Sequence, residues 1–543
     1  MNKVFTKWLK LNNVNIVQRL KEMTYKDIDE SFGRELQFNT FGLRAKMLLG
    51  SGGINEVTVC KLASTFLSYC KRKKYTSVAV GFDVRNNSTS YGKILVNVLS
   101  FGGLCVHTFS KSVSSPMLAF ATIRKKCDAG IMISGGHNDS SYSGIQFYKK
   151  NGVLFDVASI NEINKIYSKL DEVQCFNSYE KNKFGKNDNI KIIGNDFFRE
   201  FSGQFYKNKL NSTLNVIYTP LNGNMGKDVV IALKKSGFKR IVCVNSQFKP
   251  SGNFKTFIEP DLCSFNVYER ALKKTDLFDA DVILATSPSG EEFGAMIKST
   301  KGYQLLSGNE IAILLLNYIN ENKVELCDRF AVASVITSPL FYNICDKYGI
   351  ECTRTQTNYT SVGNAKIKLE GKYGKDGFTI AFGDNHGYIV KDGLYNKDSF
   401  FTLLKFCEMA SFLKNSGSSI EEYLHSIYQK FGFVYSITDG IRFNENNAKE
   451  QMNEKMENLR KNLPNTLLKR KITKKIDYLY EKTGIEPCDM IELNTKDFKL
   501  FIRPSMTENK IKIYVHCFGK SIDDSKKKCN EVLQCVKKDI FGI

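Results

Sequence analysis

The chain has 543 residues, of which 42% are hydrophobic, 25% charged and 12% aromatic, and it holds 9 Pro against 39 Gly. That composition excludes a disordered, collagenous or coiled-coil chain, and at about 150 residues per domain it implies three or four domains. Lys and Arg number 78 against 56 Asp and Glu, a formal charge of +22 that favours anionic partners (phosphorylated metabolites, acidic headgroups or nucleic acid) without choosing among them.

In chain order, the amino-terminal stretch MNKVFTKWLKLNN has no apolar core long enough for a signal peptide. Val57, Leu62, Phe66, Leu67 and Cys70 recur at helical spacing and predict a helix over Ile54–Lys71. Buried strands are predicted at Ser77–Phe82, Gly130–Ser134, Val216–Thr219, Arg240–Val244, Val282–Thr286, Ala331–Thr337 and Phe378–Phe382. Helices are expected at Lys227–Ser236, Asn309–Asn320 and Pro339–Tyr348, so the alternation is that of α/β units. Ile311–Leu316, the longest strongly apolar stretch, is far short of the ~20 residues a membrane span needs.

The pattern changes after about Asp439. A polar, Lys- and Asn-rich segment (Phe443–Lys475) precedes strands near Phe498–Arg503 and Lys510–His516 and a helix over Ser521–Lys537, which reads as a smaller α+β domain. The basic clusters Lys71–Lys74, Lys469–Lys475 and Lys526–Lys528 are brief and read as solvated faces, so nucleic acid is not an expected partner. Fifteen cysteines are scattered singly, with no CxxC pair and no zinc spacing to the five histidines, which predicts reduced thiols in a cytoplasmic protein. Gly50-Ser51-Gly52-Gly53 lacks the Lys-Ser/Thr of a nucleotide P-loop.

Ligands of open α/β sheets sit outside the carboxyl ends of strands, which directs attention to the loops there. Gly130–Asn138 (GIMISGGHN), Ala285–Gly294 (ATSPSGEEFG), Ala381–Tyr388 (AFGDNHGY) and Arg503–Lys510 (RPSMTENK) follow one another in this order. Together they resemble the α-D-phosphohexomutase family, the phosphoglucomutases and phosphomannomutases, and especially its phosphopentomutase-like branch. Their counterparts there are GIMITASHN, ATDPDADRFG, GFEESYGY and RPSGTEPK. Phe38–Ala45 (FNTFGLRA) is similar to FGTAGLRA, Asp83-Val84-Arg85 to a DxR strand end, Thr219–Gly223 (TPLNG) to TPLHG, and Thr355–Gly363 (TQTNYTSVG) to a TxTGFKWIG run.

The resemblance covers nearly the whole chain and implies an α/β fold of four domains around a central cleft. These would be residues 1–205 with a phosphoserine-type loop 134–139, 206–303 with a metal-type loop 287–292, 304–438 with a sugar-type loop 381–388, and a smaller α+β domain 439–543 with a phosphate-type loop 503–510. It also implies chemistry in which a phosphoserine donates its phosphoryl group to a sugar phosphate, with Mg²⁺ neutralising the charge in flight.

The residues present depart from that chemistry. The nucleophile position is Gly136, between the neighbours Ser134 and His137; Ser140 and Ser141 also lie near, but in-line transfer tolerates little misplacement. The three metal-ligand positions are Ser287, Ser289 and Glu291, and two hydroxyls are poor substitutes for carboxylates at a hard cation. Glu292 stands where the family has an arginine, and a carboxylate at about 4 Å would repel a phosphate oxygen by roughly 4 kcal/mol. The loop itself is expected to be solvated. Asp384 and Asn385 remain as weak sugar contacts, Asn358-Tyr359-Thr360 lacks the family's lysine, and His386 reads as a packed or loop histidine.

Arg503, Ser505, Thr507 and Lys510 keep a phosphate-binding set, although Met506 replaces a glycine and would cost ~1–2 kcal/mol if the turn were left-handed. The expected function is that of a phosphoglucomutase/phosphomannomutase-like pseudoenzyme of carbohydrate metabolism, with no metal and no cofactor, binding a phosphate or phosphosugar and open to a protein partner. One alternative is an active phosphohexomutase with rewired residues and Mg²⁺. The other is a non-enzymatic scaffold or polyanion-binding protein.

Overall fold

The computed structural model describes residues 3–40, 42–182, 187–194, 196–203, 210–322, 328–443, 447–506 and 508–542. They form two compact units, one of Met1–Leu305 with His386–Ser411 and one of Leu306–Asn385 with Phe412–Ile543.

The first unit contains two sheets built on one plan. In the first, Ala129–Ile133, Ser77–Phe82, Cys105–Phe109 and Ile190–Ile193 run parallel, and Tyr142–Lys149 returns antiparallel beside Ala129–Ile133, with Leu43–Lys46 outside it. In the second, Val282–Thr286, Ser212–Thr219 and Phe238–Cys243 run parallel, and Phe293–Ser299 returns antiparallel beside Val282–Thr286. The phosphoserine-type and metal-type loops are therefore the same connection in two related sheets, each leaving a fully buried strand (Ala129–Ile133 or Val282–Thr286). The helix predicted over 54–71 forms at Glu56–Arg72, started by Asn55, whose side chain accepts from the Val57 and Thr58 N–H groups. Trp8, on the first helix, packs edge-on against Phe32 at 5.2 Å and donates to Glu172 at 2.8 Å.

In the second unit Glu351–Thr355, Phe330–Ser334 and Phe378–Phe382 lie in that order and run parallel. The strand expected to reach Thr337 stops at Ser334, and Val335–Thr337 turns away. An antiparallel sheet follows in the order Phe433–Arg442, Lys510–Gly519, Phe498–Pro504, Ile491–Asn494, Lys474–Asp477, with the helix Ile522–Cys535 packed on it. Val335 and Ile336 pack with Tyr478, Met490, Phe501 and Tyr514, so one apolar cluster joins the parallel strands to this sheet.

One boundary shifts here, and one element was not foreseen. The strand Phe433–Arg442 pairs without interruption from Phe433↔Gly519 to Arg442↔Lys510, so the last sheet starts before the boundary placed at 438/439. The polar segment after Phe443 contains a helix, Ala448–Lys461, whose buried residues Ala448, Met452, Met456 and Leu459 form a single narrow stripe. Among the described residues no helix is long and apolar enough to cross a membrane, and the cysteines are free thiols.

Candidate functional site

The loop that follows Ala129–Ile133 is held from beneath by the DxR strand end. Arg85 donates to the carbonyls of Gly136 and Tyr142, both at 3.0 Å, and to those of Asn138 and Asp139, while Asp83 accepts from the Gly135 N–H at 3.1 Å. Burial lowers the Arg85 pKa to about 10, against the pull of Asp83. The guanidinium passes so close to Gly135 that any Cβ there would collide with it.

Gly136 has φ +60°, and a Cβ on it would lie 3.2 Å from Arg44 Nη2. Ser134 is fully buried, its hydroxyl accepts from the Gly136 N–H at 3.1 Å, and its carbonyl accepts from Arg44. Ser141 is turned to Asp139, 2.5 Å away. Phe41, in the opening motif, lies outside the described residues.

The loop Ser287–Glu292 is not solvated as expected. Ser287, Ser289 and Glu291 are buried, and most of the loop's polar groups are satisfied within the fold, Glu291 Oε1 being the buried atom left without a hydrogen-bond partner. The Ser287 N–H donates to the Glu292 carbonyl at 2.9 Å, the Ser287 hydroxyl accepts from the Glu292 N–H at 3.0 Å, and Gly290 closes the turn at φ +73°. Outside the loop, the Ser115 N–H donates to Ser289 O, and the Ser399 hydroxyl donates to Gly290 O at 2.7 Å. Lys397 reaches in, its Nζ 2.6 Å from Glu292 Oε1 and 3.4 Å from Glu291 Oε2, and His137 Nδ1 lies 3.7 Å from Glu292 Oε1. Burial would raise the Glu292 pKa, but Lys397 and His137 hold it well below the usual carboxylate range.

These residues do not fit a magnesium ion. The Ser287 hydroxyl already serves the backbone, the Ser287 and Ser289 hydroxyls face each other at 3.4 Å, and Glu291, the remaining carboxylate of the set, stands beside an ammonium. Among the described residues no cluster of three or more His, Cys, Asp and Glu side chains could hold a metal. His386 is buried, its Nδ1 3.0 Å from the Phe293 carbonyl, as expected of a packed histidine.

In the second unit Arg503 and Asp384 meet. Asp384 Oδ2 accepts from Arg503 Nη2 at 2.9 Å and from the Tyr514 hydroxyl at 2.8 Å, with Lys512 Nζ at 3.8 Å. Burial would raise the Asp384 pKa, but Lys512 and Arg503 keep it below its ordinary value. Asp384, expected to grip a sugar, is thus already an ion-pair partner. Asn385 has φ +51°, and its N–H turns back to Asp384 Oδ1 at 2.7 Å.

Lys510 Nζ pairs with Glu508 at 2.6 Å, and Lys512 Nζ with the same carboxylate at 3.3 Å. The Ser505 N–H closes the turn on the Lys510 carbonyl at 2.8 Å. Thr507 lies outside the described residues. Met506 is half-exposed and is not among the residues of positive φ, so the left-handed cost foreseen for it does not arise.

Lys397, Lys512, Tyr514 and Glu508 escaped the sequence reading. Lys512 and Tyr514 had a usable signal: they alternate with the buried Ile511, Ile513 and Val515, which puts them on the Lys510 face of the strand, across from Arg503 and Phe501. Lys397 had only a polar triplet, Asn396-Lys397-Asp398, ahead of an apolar helix.

Against this geometry the comparisons with known proteins are consistent. A family model described as phosphoglucomutase/phosphomannomutase, alpha/beta/alpha domain I matches residues 35–174, and its domain III counterpart matches residues 307–431. A Staphylococcus aureus (strain MRSA252) protein named phosphoglucomutase is 25% identical over 549 residues, covering 97% of this chain and 98% of that one. The open form of Paramecium parafusin, a phosphoglucomutase, superposes with a TM-score of 0.68 at 15% identity, covering 93% of this chain and 94% of that one. Aspergillus fumigatus N-acetylphosphoglucosamine mutase, solved with GlcNAc-6P and magnesium, superposes with a TM-score of 0.54 at 10% identity, covering 94% of this chain and 96% of that one. The chain belongs to the α-D-phosphohexomutase family and has that family's mixed α/β fold.

Proposed function

We propose that this chain is a phosphoglucomutase-like protein that binds a phosphate or phosphosugar and no longer transfers phosphoryl groups. The observation that carries the reading is Gly136. A backbone-only residue at φ +60° occupies the family's nucleophile position, and the adjacent Ser134 hydroxyl is buried and accepts from the Gly136 N–H. Removing a covalent nucleophile has cost about a million-fold in turnover in a well-studied hydrolase. The four-domain division and the absence of a metal belong to the same reading.

Binding is supported by the charge at Arg503–Lys510. Arg503, Lys510 and Lys512 face the two carboxylates Asp384 and Glu508, and Arg503 Nε is buried without a hydrogen-bond partner, so the cluster has cationic charge to spare for an anion. A working mutase on hexose or pentose phosphates is the second reading. Full-length similarity to relatives named phosphoglucomutase favours it.

One experiment separates the two. The chain is incubated with labelled glucose 1,6-bisphosphate and MgCl2, and conversion of glucose 1-phosphate to glucose 6-phosphate is followed in parallel. The expected result is neither phosphoprotein nor turnover, with glucose 6-phosphate still raising the melting temperature. A covalently labelled side chain, or turnover above background, establishes the second reading.

A further inference from the structure

We infer that Lys397 is a resident cation: its ammonium takes over the charge-neutralising role of a divalent metal at the loop Ser287–Glu292 and makes that loop independent of metal. The inference rests on the family reading of this loop, and it deepens the proposal of lost phosphoryl transfer.

Two adjacent carboxylates, one buried and one nearly so, need a counter-charge, since like charges in a poorly solvated place repel each other and each pays for leaving water. Glu291 and Glu292 have side chains 3% and 12% exposed, and Lys397, 17% exposed, lies within 3.4 Å of the first and 2.6 Å of the second. This ammonium, with His137 beside Glu292 and Arg44 in electrostatic reach of both, supplies the counter-charge that an ion would otherwise have to bring.

The lysine is delivered rather than merely nearby. Two residues on, Ser399 is clamped to the loop, its N–H donating to the Gly290 carbonyl at 3.1 Å and its hydroxyl to the same oxygen at 2.7 Å. At the other end of this segment, the Phe293 N–H donates to the His386 carbonyl at 3.0 Å, and Glu292 bridges to Gly387. The stretch from His386 to Ser399 is therefore stitched to the loop on both sides of Lys397. Of the three family ligand positions, Ser287 has its hydroxyl engaged by the Glu292 N–H and Ser289 offers a neutral hydroxyl. Glu291, with Oε1 unpartnered and Oε2 beside Lys397, is then the one anionic group a magnesium ion would get in exchange for its waters.

The test compares thermal unfolding of the native chain and K397M, each in EDTA and in millimolar MgCl2 or MnCl2, with calorimetric titration of the metal alone. The native chain is expected to melt at one temperature in all three conditions and to show no saturable metal binding. K397M is expected to melt roughly 5–10 °C lower, because one partner of a buried ion cluster is gone, and to recover part of that loss when the divalent metal is added. If K397M does not fold, the charge-balanced E291Q/E292Q/K397M variant decides. Native-like melting supports the inference, and failure to fold overturns it.

A K397M variant as stable as the native chain, or a native chain stabilised by magnesium, also overturns it. A phosphoenzyme in the native chain would sink the proposal of lost transfer without touching this result. Magnesium stabilisation without labelling would do the reverse.

Discussion

The loop at 287–292 in the first unit and the loop at 503–510 in the second are both held by ion pairs, yet the first contributes carboxylates to them and the second chiefly cations. The first sets the carboxylates Glu291 and Glu292 against Lys397, with His137 beside Glu292 and Arg44 in electrostatic reach of both. The second sets Arg503, Lys510 and Lys512 against Asp384 and Glu508. Replaced family ligands thus leave one loop pairing its carboxylates with cations from elsewhere in the fold, while the other sets three cations against two carboxylates.

The largest expected effect breaks the second side of that comparison. R503M leaves the largely enclosed Asp384 with Lys512 and Tyr514 and removes its closest cation, so it should cost about 3–5 kcal/mol in a denaturant titration followed by circular dichroism. It should also abolish stabilisation by glucose 6-phosphate. A variant as stable as the native chain would show that the pair is not the keystone of this cluster.

The next prediction sharpens the first side. Asp398, beside Lys397, is buried, accepts from the Phe401 N–H at 2.7 Å, and has its pKa raised by burial to about 7. In the native state it keeps its proton until near neutral pH, whereas in the unfolded chain it ionises at the ordinary value of 3.8. Stability should therefore fall as pH rises between those two values, with the cost fully in place above about 7. D398N keeps the accepting carbonyl and has no such cost. Its advantage over the native chain should grow across that window to about 2–4 kcal/mol, at about 1.4 kcal/mol per pH unit. Parallel pH profiles for the two proteins would contradict this.

The smallest effect is at Met506. With no left-handed backbone to relieve and half its surface in water, M506G should change stability by no more than about 0.5 kcal/mol. A gain of a kilocalorie per mole or more would reinstate the strained turn.

Much of the fold was legible where burial is complete. Ser77–Phe82, Val282–Thr286 and Phe378–Phe382 form at the predicted residues, because strands covered on both faces read as unbroken apolar runs. Ala448–Lys461 was not legible, since four apolar side chains in fourteen positions are enough for a helix that packs on a sheet but too few to announce one. At the site, identity was easier to read than environment. Gly136, Ser287 and Ser289 were named from their order along the chain, yet the burial of Ser287–Glu292 depends on hydrogen bonds from Ser115 and Ser399, far away in sequence. The partnership of Asp384 with Arg503 spans 119 residues for the same reason.

Trp8 is the chain's single tryptophan, and its indole is sealed against Phe32 and hydrogen-bonded to Glu172. Intrinsic tryptophan emission therefore reports on the opening of the amino-terminal unit and is blind to the other. Comparing an emission melt with a calorimetric or ellipticity melt would reveal, without any label, whether the halves come apart together or in turn.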